Sequence, residues 1–147
     1  MARTLSRVAL SCMAAIVLAA SLASCGSDLT GPLAHTWQLQ TVKDQPLPAT
    51  IANSSPAIIV TSGTMTTNTN GTYTLSLSGS SDGTNRVVGT DHGAWTITNS
   101  TFLFRSNTGG VPDYIAGLTS GVIRVSLPGQ LVHSSDESLD MVFQVAP

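Results

Sequence analysis

Between Thr72 and Ser78 apolar and hydroxyl side chains alternate without a break, Tyr73, Leu75 and Leu77 on one set of positions and Thr72, Thr74, Ser76 and Ser78 on the other. A period of two sends successive side chains to opposite faces of a pleated strand, so this stretch predicts a strand with one dry and one wet face. The same spacing predicts a first strand over 35–43, where Trp37 and Leu39 oppose Gln38 and Gln40. It recurs at 93–98 with Trp95 and Ile97 inward and on the return strand carrying Phe102 and Phe104, while 57–66 reads as a strand from its apolar opening, Ala57-Ile58-Ile59-Val60, and threonine-rich end. Over 122–127, Ile123, Val125 and Leu127 face in and Arg124 and Ser126 face out. The last strand, 138–145, sets Leu139, Met141, Phe143 and Val145 against Asp140 and Gln144. Two weaker candidates are 86–91 and 111–118, the second carrying Tyr114. No stretch after residue 24 keeps the spacing of an amphipathic helix.

Turn signals separate these runs. Asn70-Gly71 predicts a type I′ hairpin, because that turn needs positive φ at both central residues. A Ser, Asp, Gly and Thr turn is expected over 79–85, with tight turns at Asn99-Ser100 and Ser120-Gly121. Pro46, Pro48 and Pro56 bracket 44–56, which reads as a long loop too rich in proline for a strand interior. A second long connection, 128–135, holds His133. Short strands at regular spacing fit either a sandwich or a barrel. Because tight turns dominate, the expected fold is mainly β, a single antiparallel up-and-down β-barrel of eight or nine strands over 34–147.

Composition narrows the function. Removing residues 1–24 leaves 123 residues, enough for one core. Their four basic and eight acidic residues give a net charge of minus four, which argues against nucleic acid as a partner. Ser and Thr fill 33 of those 123 positions and all 13 glycines remain, a balance that favours strands and turns over helices.

The first 24 residues have a different logic. Arg3 and Arg7 precede a fifteen-residue apolar run, 8–22, too short to span a bilayer but suited to a secretory signal. Leu22-Ala23-Ser24-Cys25 resembles the lipobox of bacterial lipoproteins, an apolar and two small residues before a cysteine. The resemblance implies that 1–24 is a lipoprotein signal peptide and that Cys25 is acylated and becomes the first residue. Residues 25–33 would then be a lipid-bearing tether. An ordinary signal cut near Ala23 would instead leave Cys25 as a lone free thiol. Cys12 leaves with the signal in either case, so no disulfide is expected. Gly26 lacks the aspartate that resembles an inner-membrane retention signal, which points to the periplasmic leaflet of the outer membrane.

The strand pattern is similar to that of lipocalin-like lipoproteins. The likeness rests on Leu33, Trp37, Leu39 and Val42, on Asp44-Gln45-Pro46-Leu47-Pro48, and on Gly71-Thr72-Tyr73, Gly93-Ala94-Trp95 and Met141-Val142-Phe143. It implies a barrel that binds a small apolar molecule. Two positions depart from it: His35 stands where lipocalins keep a glycine, and Gln144 where they keep an arginine that packs on the first-strand tryptophan. Arg105 and Arg124 are the candidates to replace that arginine.

Candidate chemistry is sparse. Asp91-His92 and the many serines invite a hydrolase reading, yet no Gly-x-Ser-x-Gly elbow accompanies them. His35, His92 and His133, with Asp91 as a fourth group, lie 57 and 41 residues apart and lack the short spacing of a zinc motif. No enzyme activity, metal or cofactor is therefore expected. Trp37, Tyr73, Trp95, Phe102, Phe104, Tyr114 and Phe143, all the aromatics of the chain, are the candidate ligand pocket. They are also bulky enough to fill a small barrel outright. The indole N–H groups of Trp37 and Trp95 and the hydroxyls of Tyr73 and Tyr114 are its candidate polar handles. The leading expectation is a lipid-anchored, non-catalytic barrel of the cell envelope that binds a small apolar ligand. The alternative is a packed scaffold whose loops 44–56 and 128–135 bind a protein, as an assembly factor or enzyme inhibitor would.

Overall fold

The alternating stretches become walls in the computed structural model, which describes residues 34–51 and 53–147. The strands are β1 (Thr36–Val42), β2 (Gln45–Pro46), β3 (Ala49–Ile51), β4 (Ile58–Thr67), β5 (Thr72–Ser81), β6 (Thr84–Thr98), β7 (Thr101–Ser106), β8 (Tyr114–Thr119), β9 (Val122–Pro128) and β10 (Ser138–Val145). From β4 onward each strand pairs antiparallel with the next, and β1 pairs with both β10 and β4. The ring of β1 and β4 to β10 is a closed eight-stranded up-and-down barrel, the predicted class, with β2 and β3 as two further short strands. The signal peptide, Cys25, the tether and Leu33 lie outside the described residues.

Hairpin geometry explains the closure. Lys43-Asp44, Asp82-Gly83, Asn99-Ser100 and Ser120-Gly121 each carry positive φ at both residues and join strands through two-residue turns. That backbone twist matches the twist of the strands it connects. Asn70-Gly71 does not form such a turn. Only Gly71 has positive φ there, and a four-residue link closes through its N–H donating to the Asn68 carbonyl at 3.1 Å. Asn70 instead turns its side chain to the chain ahead, its Oδ1 accepting from the Thr72 N–H and hydroxyl at 3.1 and 2.7 Å.

Several boundaries differ from the predicted ones. The turn expected over 79–85 shrinks to Asp82-Gly83, because Ser80 and Ser81 stay in the ladder opposite Asn85 and Thr84. The separate candidates 86–91 and 93–98 are one fifteen-residue strand, β6, bent by a bulge where the register slips between Leu77 and Ser78. The strand carrying Tyr114 begins at Tyr114 itself, since Val111 belongs to the connection before it. The 44–56 segment is not a plain loop: β2 pairs with β1 and β3 with β4, and Ala49 and Ile51 are buried. The 128–135 connection contains a 3₁₀ helix, Gly129–Val132, with Leu131 and Val132 turned into the core.

Antiparallel order assigns every connection to one end. Ala34, the turns at 68–71, 99–100 and 120–121, and the last residue share one end. The links from β1 to β4, from β7 to β8 and from β9 to β10, together with the turn at Asp82-Gly83, share the other. Inside lies a single apolar core to which every barrel strand contributes. Outside, the alternate positions of β4, β5 and β6 are mostly Thr and Ser. Among the described residues no helix is long and apolar enough to cross a membrane.

Candidate functional site

The pleat decides where the chemistry points. Counting back from Trp95, residues 93 and 91 share its face, so Asp91 enters the barrel and His92 faces out. Asp91 is 2% exposed. Its Oδ2 accepts from the Tyr73 hydroxyl at 2.6 Å and the Tyr114 hydroxyl at 2.9 Å, and its Oδ1 from the Ser106 hydroxyl at 2.6 Å. Burial by itself drives the carboxyl upward, but hydrogen bonds from Ser106, Tyr73, Thr108 and Tyr114 outweigh it and hold Asp91 below the ordinary aspartate value. Both phenols are raised, first by burial and then by their hydrogen-bonded neighbours, with Asp91 among them, so both stay protonated donors.

This carboxylate also organises the connection beyond β7. The Thr108 N–H donates to Ser106 Oγ at 3.1 Å, the Ser106 N–H to Asp113 Oδ1 at 3.1 Å, and the Asn107 N–H to the His92 carbonyl at 2.8 Å. The start and end of the 107–113 connection are thereby held against β6 and β7. A sequence signal for Asp91 existed, since the inward set of β6 runs through it; splitting β6 at His92 concealed it.

Six of the seven rings proposed as a pocket meet. Trp37, Phe102, Phe104, Tyr73 and Tyr114 follow one another with ring centroids 6.5, 5.5, 4.8 and 6.2 Å apart, and Trp95 joins at 5.4 Å from Phe102. Phe143 is buried opposite Leu39 in the ladder. Phe102, Phe104 and Phe143 are 0% exposed and Trp37 is 1% exposed, so no water-sized void adjoins them. All four polar handles are engaged by the protein itself. The Trp37 indole donates to Thr67 Oγ1 at 3.2 Å, the Trp95 indole to the Asn68 carbonyl at 3.2 Å, and both tyrosines to Asp91. In this structure the rings form a packed column.

The remaining candidates are dispersed. His35 sits edge-on to Trp37 with ring centroids 5.5 Å apart. Arg105 and Arg124 face outward and are exposed, so neither reaches Trp37. With Asp91 inside and His92 outside, the two cannot act as an acid–base pair, whatever serine is near. Among the described residues no group of three or more His, Cys, Asp or Glu side chains could hold a metal ion.

Comparison with known proteins leaves this geometry to speak for itself. No family model, no curated protein and no solved structure matches the chain.

Grooves also lie outside the ring column, and two of them bear on function. One, of about 480 Å³, runs along the outer wall of β8, β9 and β10 beside Ile115, Gly117, Arg124 and Asp140. The other, of about 310 Å³, lies at the loop-bearing end between Val87, Thr108, Val111, Leu131 and His133. Close by, the two long connections named as a contact surface are stitched together. Asp136 accepts from the Asn53 amide at 2.5 Å and from Lys43 Nζ at 3.1 Å, Ser54 forms a backbone bridge with Ser134, and the Ser135 N–H donates to the Asn53 carbonyl at 3.0 Å. The Asn53 amide and then the Lys43 ammonium hold the Asp136 carboxyl below its ordinary value.

Proposed function

We propose that this chain is a lipid-anchored, non-catalytic lipoprotein of the bacterial envelope with a lipocalin-like barrel, whose loop-bearing end recognises a protein partner. The observation that carries the reading is the pairing of a filled interior with stitched connections at the end opposite Ala34. Acylation of Cys25, nine residues before Ala34, would hold the barrel by its tight-turn end and direct the other end away from the membrane. Ordered loops lose little entropy on docking, which favours recognition by a preformed surface.

The test is site-specific photo-crosslinking in the native membrane. A photoreactive side chain at Gln130 or Gly110 is expected to yield a discrete adduct, and one at Asn99 or Ser120 none. Adducts that appear equally from both ends, or from neither, would count against the reading, as would a mass spectrum without a lipidated Cys25. A small-molecule role is the second reading, favoured by the groove of about 310 Å³, where Val87 is 56% exposed beside the polar Thr108 and His133.

A further inference from the structure

The Asn70-Gly71 pair closes no type I′ turn, and its arrangement in the link between β4 and β5 has a chemistry of its own. Of the six asparagines in the chain, Asn70 alone is followed by glycine. Gly71 carries no Cβ, so nothing on its own α-carbon shields its nitrogen from the preceding side chain. Asn70 is exposed and Gly71 half-buried, which leaves the pair open to water.

The Asn70 side chain is held from its far side. Its Oδ1 accepts from the Thr72 N–H at 3.1 Å and from the Thr72 hydroxyl at 2.7 Å. Asn68 aims that hydroxyl in turn, because its Nδ2 donates to Thr72 Oγ1 at 3.1 Å and so leaves the hydroxyl proton for Asn70. Two donors therefore meet the oxygen on which charge collects when a nucleophile adds to Asn70 Cγ. The nucleophile next in the chain is the Gly71 nitrogen, whose N–H donates to the Asn68 carbonyl at 3.1 Å.

We infer that Asn70 is a self-modifying site: the Gly71 nitrogen displaces its side-chain amide, and Thr72 stabilises the charge that develops. Hydroxide from solvent takes the Gly71 amide proton, the nitrogen's electron pair forms a bond to Asn70 Cγ, and the Cγ–Oδ1 π pair moves onto Oδ1 between its two donors. As that pair returns, the Cγ–Nδ2 bond breaks and the amide nitrogen leaves as ammonia with a proton from water, which regenerates hydroxide. A second water opens the five-membered imide. Opening at Cγ gives aspartate; opening at the Asn70 main-chain carbonyl routes the backbone through Cγ as isoaspartate. The sum is one water consumed and one ammonia released. Isoaspartate lengthens a turn that holds Trp95 by two bonds, its N–H donating to the Gly71 carbonyl at 2.8 Å and its indole to the Asn68 carbonyl at 3.2 Å. The modification thus loosens Trp95 and adds a carboxylate at the barrel end that carries Ala34, and it depends on neither the ring column's packing nor the loop-bearing end.

The full-length protein is incubated at neutral and alkaline pH, digested, and mapped by mass spectrometry with isoaspartate separated from aspartate. The peptide holding Asn70 is expected to gain one mass unit sooner than any other asparagine peptide, and faster as the pH rises. Thr72→Val keeps a β-branched strand residue and the N–H but removes the hydroxyl, and is expected to slow the gain about fivefold. In urea, where the turn is lost, both proteins are expected to react at equal rates. An Asn70 that stays intact in the folded chain while it is modified in urea overturns the inference, because the turn then protects it. Equal rates for wild type and Thr72→Val in the folded state overturn the role of Thr72. The Trp95 indole proton is expected to exchange with solvent faster in the isoaspartyl protein than in Asn70→Asp, which gains the charge without the added backbone carbon; equal exchange overturns the loosening of Trp95.

Discussion

Asp91 is a charge placed where the alternation rule reserves space for an apolar side chain, and it persists because its neighbours are donors rather than hydrocarbons. Two phenols and a serine hydroxyl converge on it. Truncation to alanine strands those donors in the core, so Asp91→Ala is expected to lower unfolding free energy by about 3 kcal/mol, read from urea melts. The pH dependence follows from the direction of the shift. An unfolded aspartate titrates near about 3.9, and folded Asp91 lies below the ordinary value. Its stabilisation is therefore complete above the unfolded value and is lost as the pH falls through the folded one. Between about pH 5 and pH 2 the urea midpoint of the wild type is expected to fall more steeply than that of Asp91→Asn. Parallel curves would show that the carboxylate charge contributes nothing.

At the scale of single elements, most of the barrel was legible because a half-buried strand repeats one rule. Tyr73, Leu75 and Leu77 are buried as expected, and so are Ile123, Val125, Leu127, Leu139, Met141 and Phe143. The misread elements share a cause. Proline forbids ladder hydrogen bonds only on the side where its N–H would point, so Pro46 still serves in β2 on the outer rim. The Asn70-Gly71 pair satisfies a turn with side-chain hydrogen bonds, an option that local composition does not rank. Asn99-Ser100 holds Ser100 at φ 64° without a glycine. Ser100→Gly is expected to relieve about 1 kcal/mol there, visible as a higher thermal midpoint, because glycine adopts that region without steric cost.

For the molecule as a whole, closure depends on glycines where strands approach most tightly. A Cβ on Gly93 would overlap the Arg105 carbonyl, and one on Gly79 the Ile59 carbonyl. Gly93→Val is thus expected to abolish the cooperative melt, whereas Gly117→Ala, with open space around its Cβ, leaves the transition sharp. Thermal scans by near- and far-ultraviolet circular dichroism distinguish the two. The candidate site was less legible than the fold. Most of the seven rings were identifiable as inward, yet whether they line a space or fill it depends on distances that no one strand contains. The stitching of Asn53 and Lys43 to Asp136 joins residues more than eighty positions apart.

The order of residues alone determined which side of each strand is wet, where most hairpins turn and that the chain is built of antiparallel strands, because the two-residue period and the backbone angles of tight turns act over a few neighbours; that the sheet closes into a barrel was preferred there over a sandwich and is decided by the pairing of β1 with β4. Only the tertiary structure decided that a carboxylate is held ionised in the core, that the rings pack into a column, and that β2 on β1 and β3 on β4 extend the wall beyond the short β1–β4 pairing. These outcomes depend on distances between groups brought together by closure of the ring, and such distances are a property of the assembled wall.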